Sequence, residues 1–116
     1  MDNLIKLRKL ANVSPKILSK LLNVTVHTYI AFEQERMIMP KEILKMLSLV
    51  FRIDEETIFD SSKQLSDKDT EQLIKISSLS DEEKLKYLAS GILEENITIN
   101  YRIISNIKRK IKNACQ

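Results

Sequence analysis

Residues 14–33 read SPKILSKLLNVTVHTYIAFE, a pattern that predicts two short helices joined by a tight turn. Ser14 supplies a hydroxyl that can cap free backbone N–H groups, and the proline after it needs no hydrogen bond at the first helical position. We therefore expect a helix over residues 15–22. The next two residues form the turn, and Thr25 caps a second helix over residues 26–33.

Apolar residues at helical spacing predict further helices on both sides of this pair. The preceding helix ends near Asn12, a residue type that tolerates left-handed backbone. After the pair, Pro40 opens a helix that extends to about Phe51, and Asp54 caps a brief helix that ends near Phe59. Together these elements predict a five-helix domain.

The polar run at 60–64 has no periodic apolar residues, so we place a boundary there, between a domain over 1–60 and a helical region over 61–116. Residues 80–83 have the spacing of a capping box at the start of one helix in this region. Gly91 lies inside the same helical pattern at a cost of about 1 kcal/mol relative to alanine, and we expect it to admit a close neighbouring helix.

Residues 97–111 fit two patterns, since their first half alternates like a strand while apolar residues also recur at helical spacing. The basic ending at 108–112 suits the C-terminal end of a helix dipole, and it favours a helix. Every predicted element is then a helix, and the predicted fold class is all-α. The composition agrees, because 116 residues with a single glycine have little material for the tight turns of sheets.

The residue inventory also excludes several functions. A single glycine leaves no phosphate-binding loop, and one histidine and one cysteine leave no catalytic triad or metal cluster. We therefore expect no enzyme activity, no metal and no cofactor. No apolar run is long enough to span a membrane and no signal peptide is present, which predicts a cytoplasmic protein.

Charge is unevenly distributed along the chain. Residues 1–52 hold nine basic and four acidic side chains, residues 53–95 hold five and twelve, and residues 96–116 hold five basic side chains and no acidic one. The two basic segments, 1–52 and 96–116, suit contact with a polyanion. The alternative is that these charges only lie on helix faces that are exposed to solvent. The distribution of charge does not distinguish between these two interpretations.

Residues 4–60 resemble the helix-turn-helix domains of phage repressors and Cro, the xenobiotic-response-element family of bacterial regulators. The resemblance covers about half of the chain. The matching residues, in the order of the family, are Leu7-Arg8, Ser14–Ser19, Asn23–Thr25, Thr28–Glu33, Pro40, Leu44, Leu47, Val50–Ile53 and Ile58-Phe59. The resemblance implies that the helix over 26–33 enters the major groove of double-stranded DNA while the helix before it crosses the phosphate backbone.

The family positions also imply which residues contact DNA. The residues expected at base edges are Val26, His27, Ile30 and Ala31. Those expected near phosphates are Ser14, Lys16, Thr25, Thr28, Gln34 and Arg36. Arg8 and Glu33 match the paired charges of the family, which form a structural ion pair and do not read DNA.

The motif usually has glycine at three positions that hold Asn12, Asn23 and Glu35 in this chain. Asparagine adopts left-handed backbone at modest cost, so the first two residues preserve the turns. Glu35 adds bulk and negative charge at a place where the chain and a phosphate should approach closely.

Two functions remain open. Val26, Ile30 and Ala31 make direct hydrogen-bond readout poor, so a DNA-binding regulator would use apolar contacts with thymine methyl groups and basic side chains on the phosphates. The alternative is a helical protein-interaction module whose recognition helix binds another regulator instead of DNA. The net positive charge of residues 1–52 favours DNA.

Regulators of this family read two-fold operators as dimers, which implies a homodimer here. The residues expected at a dimer or partner interface are Leu85, Leu88, Ile92, Ile104, Ile107 and Ile111. The alternative is that the helices of the second half only pack onto the first domain.

Overall fold

The computed structural model describes residues 1–94, and every regular element in this part of the chain is an α-helix. The helices are α1 (Asp2–Leu10), α2 (Pro15–Leu22), α3 (Val26–Glu33), α4 (Lys41–Phe51), α5 (Glu55–Phe59), α6 (Asp67–Ser77) and α7 (Asp81–Glu94). The all-α class is thereby confirmed for these residues. None of the seven helices has the length and apolar character needed to cross a membrane. The helix predicted over 97–111 lies outside the described residues.

Local side-chain hydrogen bonds fix where the later helices begin. Ser66 Oγ accepts a hydrogen bond of 3.1 Å from the backbone nitrogen of Asp69 at the start of α6. Ser80 and Glu83 form the predicted capping box, in which each backbone nitrogen lies 3.2 Å from a side-chain oxygen of the other residue. Asp54 precedes α5 as predicted, but its side chain makes no capping hydrogen bond.

One hydrophobic cluster includes residues from all seven helices and crosses the predicted boundary at residue 60. Its largest fully buried side chains are Leu4, Leu7, Leu18, Leu21, Leu22, Tyr29, Met46, Leu47, Phe51, Ile58, Leu73 and Ile76. Beyond the boundary, α6 packs against α1 and α7 packs against α4. Within the described residues, the second region therefore shares its core with the first.

The interface predicted on α7 is wrong for the three of its residues that the structure describes. Leu85, Leu88 and Ile92 are buried inside the chain, because α7 turns its apolar face toward α4 and the common core. Packing within the chain thus uses the apolar stripe that suggested self-association. The other predicted interface residues, Ile104, Ile107 and Ile111, lie outside the described residues.

A close helix contact joins α7 to α4. A Cβ atom at Gly91 would lie 2.1 Å from the carbonyl oxygen of Leu49, so the two backbones approach as the sequence predicted. Beside this contact, the Arg52 guanidinium donates a hydrogen bond of 2.9 Å to Ser90 Oγ. The same guanidinium lies 4.1 Å from the centre of the Tyr87 ring, in a cation–π contact. These contacts hold α7 in place along α4.

A buried lysine connects α7 to the end of α1. Lys84 is buried, and its Nζ donates a hydrogen bond of 2.7 Å to the carbonyl oxygen of Asn12. This carbonyl lies just beyond the C-terminal end of α1, where the helix dipole favours a positive charge. The start of α7 is thereby held beside α1 and α2.

Candidate nucleic-acid interface

The turn between α2 and α3 is set by local hydrogen bonds. Asn23 ends α2 in left-handed backbone, with φ 57° and ψ 43°. The backbone nitrogen of Val24 donates a 3.0 Å hydrogen bond to the carbonyl oxygen of Ser19. Ser19 is a buried residue. Thr25 Oγ1 then accepts from the backbone nitrogen of Thr28 at 3.1 Å, and this bond caps α3. The two helices are consequently held in a fixed relation by a three-residue connection.

A partly buried ion pair joins the end of α3 to α1. Arg8 Nε donates to Glu33 Oε2 at 2.6 Å, and a second guanidinium nitrogen donates to Oε1 at 3.2 Å. The Tyr29 hydroxyl donates to the same carboxylate. Burial, together with the neighbouring Glu33 carboxylate, raises the pKa of the Tyr29 hydroxyl above its ordinary value. The carboxylate therefore faces inward and contributes to the fold.

Most of the residues expected to contact DNA lie at the surface. The exposed ones are Ser14, Lys16, Thr25, Val26, His27, Gln34 and Arg36. Thr28 and Ile30 are half-buried, and the Thr28 hydroxyl accepts a 2.8 Å hydrogen bond from the hydroxyl of Thr25. The start of α3 therefore presents an imidazole, one apolar side chain and two hydroxyls to solvent.

The base contact expected at Ala31 is wrong. Ala31 is only 8% exposed, and its carbonyl oxygen accepts hydrogen bonds from the backbone nitrogens of Arg36, at 2.9 Å, and Met37, at 3.3 Å. The loop after α3 reverses direction at Glu35, whose φ of 58° is left-handed. That reversal brings the loop back onto the end of α3, and the methyl group of Ala31 is not available to a base.

The exposed surface of α2 and α3 carries no negative charge. From residue 3 to residue 34 the sequence contains one acidic residue, Glu33, and it is buried. Lys16 and Lys20 on α2 and His27 on α3 are exposed. This surface therefore has hydrogen-bond donors and positive charge with no acidic group among them.

The acidic start of α7 lies beside the basic side of α2. A cleft of about 340 Å³ between the two helices is lined by Ser14, Lys16, Ile17, Lys20, Asp81, Glu82 and Leu85. The two carboxylates thus flank the residues expected near phosphates. Sequence reasoning missed this neighbourhood because the two stretches are far apart in the chain and neither contains a signal that specifies the other.

A second surface feature follows α3 directly. Met37, Ile38 and Phe59 are large apolar side chains exposed to solvent, and we call these three residues the loop patch. Ile38 is 94% exposed. The sequence predicts only a connection between α3 and α4 here, because the exposure of a loop residue is not encoded by helical spacing.

The candidate site can be described by the chemical groups that the described residues provide. Among residues 1–94, no three His, Cys, Asp or Glu side chains are grouped so that they could hold a metal ion. The candidate interface consists of hydroxyl, amide, imidazole and cationic groups on α2, α3 and the following loop, together with the apolar side chains of Val26 and Ile30 and the exposed carboxylate of Glu35. Comparisons with known protein families, curated proteins and solved structures found no match for the chain.

Proposed function

We propose that the chain is a cytoplasmic regulator that binds double-stranded DNA as a homodimer, with residues 1–60 as a five-helix, repressor-like domain. In this proposal α2 and α3 form the helix-turn-helix. The observation that carries it is the charge of their surface, because Glu33 turns inward onto Arg8 while Lys16 and His27 are exposed. Exposed bases with no exposed acid on the same two helices attract a polyanion, although Asp81 and Glu82 of α7 and Glu35 of the following loop border this surface.

The proposed docking follows from what each helix exposes. The N-terminal part of α3 enters the major groove, where Val26 and Ile30 contact thymine methyl groups and His27 donates to a purine acceptor or a phosphate. α2 crosses the phosphate backbone. The groups that contact the backbone are Ser14, Lys16, Thr25, Thr28, Gln34 and Arg36. Most of the affinity then comes from phosphate contacts, and sequence preference comes from the few side chains at the start of α3.

The test is retention of duplex DNA in gel-shift assays, first with a pool of random sequences and then with the duplexes selected from it. Affinity is expected to fall steeply between about 50 and 200 mM salt, because bound phosphates release counterions. Lys16→Ala should weaken binding to every sequence and lower the salt slope by about one. His27→Ala should instead change which sequences are preferred.

The matched control for Lys16→Ala is Lys75→Ala, which removes an exposed lysine from α6 and should leave binding unchanged. If no duplex is retained at the lower salt concentration, the proposed function is wrong. If both α2 and α3 variants affect all sequences equally, the division between phosphate contact and base reading is wrong.

The exposed apolar residues favour a second candidate, a helical module that binds another protein. Val26 is 36% exposed and Ile38 is almost fully exposed, and neither aliphatic side chain has a group that could hydrogen-bond to a base edge. In this case α3 contacts an apolar surface of another regulator. The two candidates are separated by the same assay, because the protein-binding module retains no duplex even at low salt.

A further inference from the structure

The loop patch groups three large exposed apolar side chains around one cleft. Two of its residues lie in the loop after α3, and Phe59, which is 66% exposed, ends α5. Single exposed apolar residues are ordinary on soluble proteins, whereas a contiguous group marks a contact surface. The apolar faces of the surrounding helices are buried in the common core, so the loop patch stands apart from the packing of the chain.

The shape of the patch is a protrusion beside a hollow. A cleft of about 240 Å³ is lined by Met1, Phe32, Glu35, Met37, Ile38, Met39 and Phe59. Ile38 stands at its rim with almost all of its surface in solvent. A contact about a two-fold axis requires a surface that is complementary to itself. This patch meets the requirement, because the isoleucine of each copy can enter the cleft of the other.

The two exposed residues that precede the patch in the chain have opposite charges. Glu35 and Arg36 are neighbours of opposite charge, and both are exposed. The Glu35 carboxylate lies 3.6 Å from the amino nitrogen of Met1, with most of the side chain still open to solvent. Neighbouring side chains of opposite sign leave this edge of the patch without net charge, whereas an edge of one sign would repel a second copy.

We propose that the loop patch is the surface through which two copies of this chain associate about a two-fold axis. The inference rests on the proposed function in one respect. Because two residues of the patch closely follow α3, a contact there places the ends of two α3 helices near the two-fold axis, and a dimer that reads two half-sites needs two such helices. The patch takes the role that the sequence had assigned to apolar residues of α7, which are buried.

The test is sedimentation velocity on the full chain without DNA, at about 50 µM, where a dimer of moderate affinity is populated. The unmodified chain is expected to be a dimer. Ile38→Asp should weaken association by about 100-fold or more, because each copy loses a buried isoleucine and gains a carboxylate in the contact. Thermal unfolding of the variant should match that of the unmodified chain, since the side chain is exposed.

The matched control is Ile74→Asp, which places the same charge at a 53% exposed isoleucine on α6. This variant should remain a dimer. A second pair of variants is made in a Cys115→Ser background. After mild oxidation Ile38→Cys should give a disulfide-linked dimer, because the two-fold axis brings this residue near its copy, and Ile74→Cys should not.

A monomeric unmodified chain at this concentration overturns the inference, as does a dimer that survives Ile38→Asp. Because no DNA is present, these results are independent of duplex binding. A dimer that is disrupted by Ile38→Asp but retains no duplex contradicts the proposed function and leaves the interface standing.

Discussion

Glu33 links the stability of the chain to the charge of the α2–α3 surface. Its carboxylate is buried, and it accepts hydrogen bonds from the guanidinium of Arg8 and the hydroxyl of Tyr29. The arrangement withdraws an acidic group from a surface that is otherwise basic. It also makes the carboxylate dependent on its partners, because an unpaired buried charge is strongly unfavourable.

The first prediction concerns this pair. Arg8→Met should reduce the free energy of unfolding by about 3–5 kcal/mol, because it leaves the carboxylate buried with only the tyrosine hydroxyl as a donor. Glu33→Leu should also destabilise the chain, since it strands the guanidinium. The double variant should lose less than the sum of the two, because neither charge then remains unpaired. Urea unfolding followed by circular dichroism gives the three values.

The control for these variants is Lys9→Met, which changes a neighbouring exposed residue of α1 and should stay within about 0.5 kcal/mol of the unmodified chain. Additive effects of the two single variants would refute the idea that Arg8 and Glu33 act as a pair.

Left-handed backbone at single residues was predictable only where the sequence marks the position. Asn12, Asn23, Glu35 and Arg52 all have left-handed backbone. The first three stand where the motif usually has glycine, so the sequence marks them. Arg52 is the left-handed C-cap of α4, and the backbone nitrogen of the next residue, Ile53, donates a 3.1 Å hydrogen bond to the carbonyl oxygen of Ser48. Arginine does not favour this conformation, so the sequence does not mark the position.

The helices were predictable where their ends carry signals of their own. α2 begins after Ser14, whose hydroxyl accepts a 3.2 Å hydrogen bond from the backbone nitrogen of Ile17, and it ends at a left-handed Asn23. Thr25 caps α3 in the same way. The prediction was one residue off at α4, which starts just after Pro40, because a proline can precede a helix as well as open it.

The second prediction concerns the contact between α4 and α7. In an exposed helix Gly91→Ala would stabilise by about 1 kcal/mol. Here the added Cβ would lie 2.1 Å from a backbone oxygen of α4, which a side-chain movement cannot relieve. We therefore expect a net loss of about 1–3 kcal/mol and a lower Tm in thermal unfolding.

Lys86→Ala is the comparison on the exposed side of the same helix, where it removes a 3.7 Å ion pair with Glu82, and it should change the free energy of unfolding by no more than about 0.5 kcal/mol. A rise in Tm for Gly91→Ala would mean that the two backbones do not approach closely.

The arrangement of the whole molecule was the least predictable part. The spacing of Leu85, Leu88 and Ile92 shows that this side of α7 is covered by apolar side chains. The same spacing is expected whether the covering side chains come from a second copy or from the core of the same chain. The choice between them depends on whether α4 offers a matching face nearby. Sequence patterns describe each face separately and contain no distances between them.

The charge of a sequence segment likewise does not show where that segment lies in the folded chain. The segment 53–95 is strongly acidic in sequence, yet its position relative to the basic segment 1–52 is a property of the fold. The structure brings Asp81 and Glu82 to the cleft beside Lys16. Under the proposed function, a phosphate near this lysine also meets two carboxylates, so the start of α7 weakens binding to the DNA backbone.

The last prediction follows from that neighbourhood. Asp81→Asn combined with Glu82→Gln should raise the affinity for duplex DNA of any sequence by about tenfold, because the repulsion of the phosphates is removed. The matched control is Glu55→Gln with Glu56→Gln, which changes the net charge equally in the first turn of α5, a helix that packs on α1 and α4. Fluorescence anisotropy with a labelled random duplex measures both. If the two double variants gain equally, the effect comes from net charge alone and the cleft between α2 and α7 has no special influence.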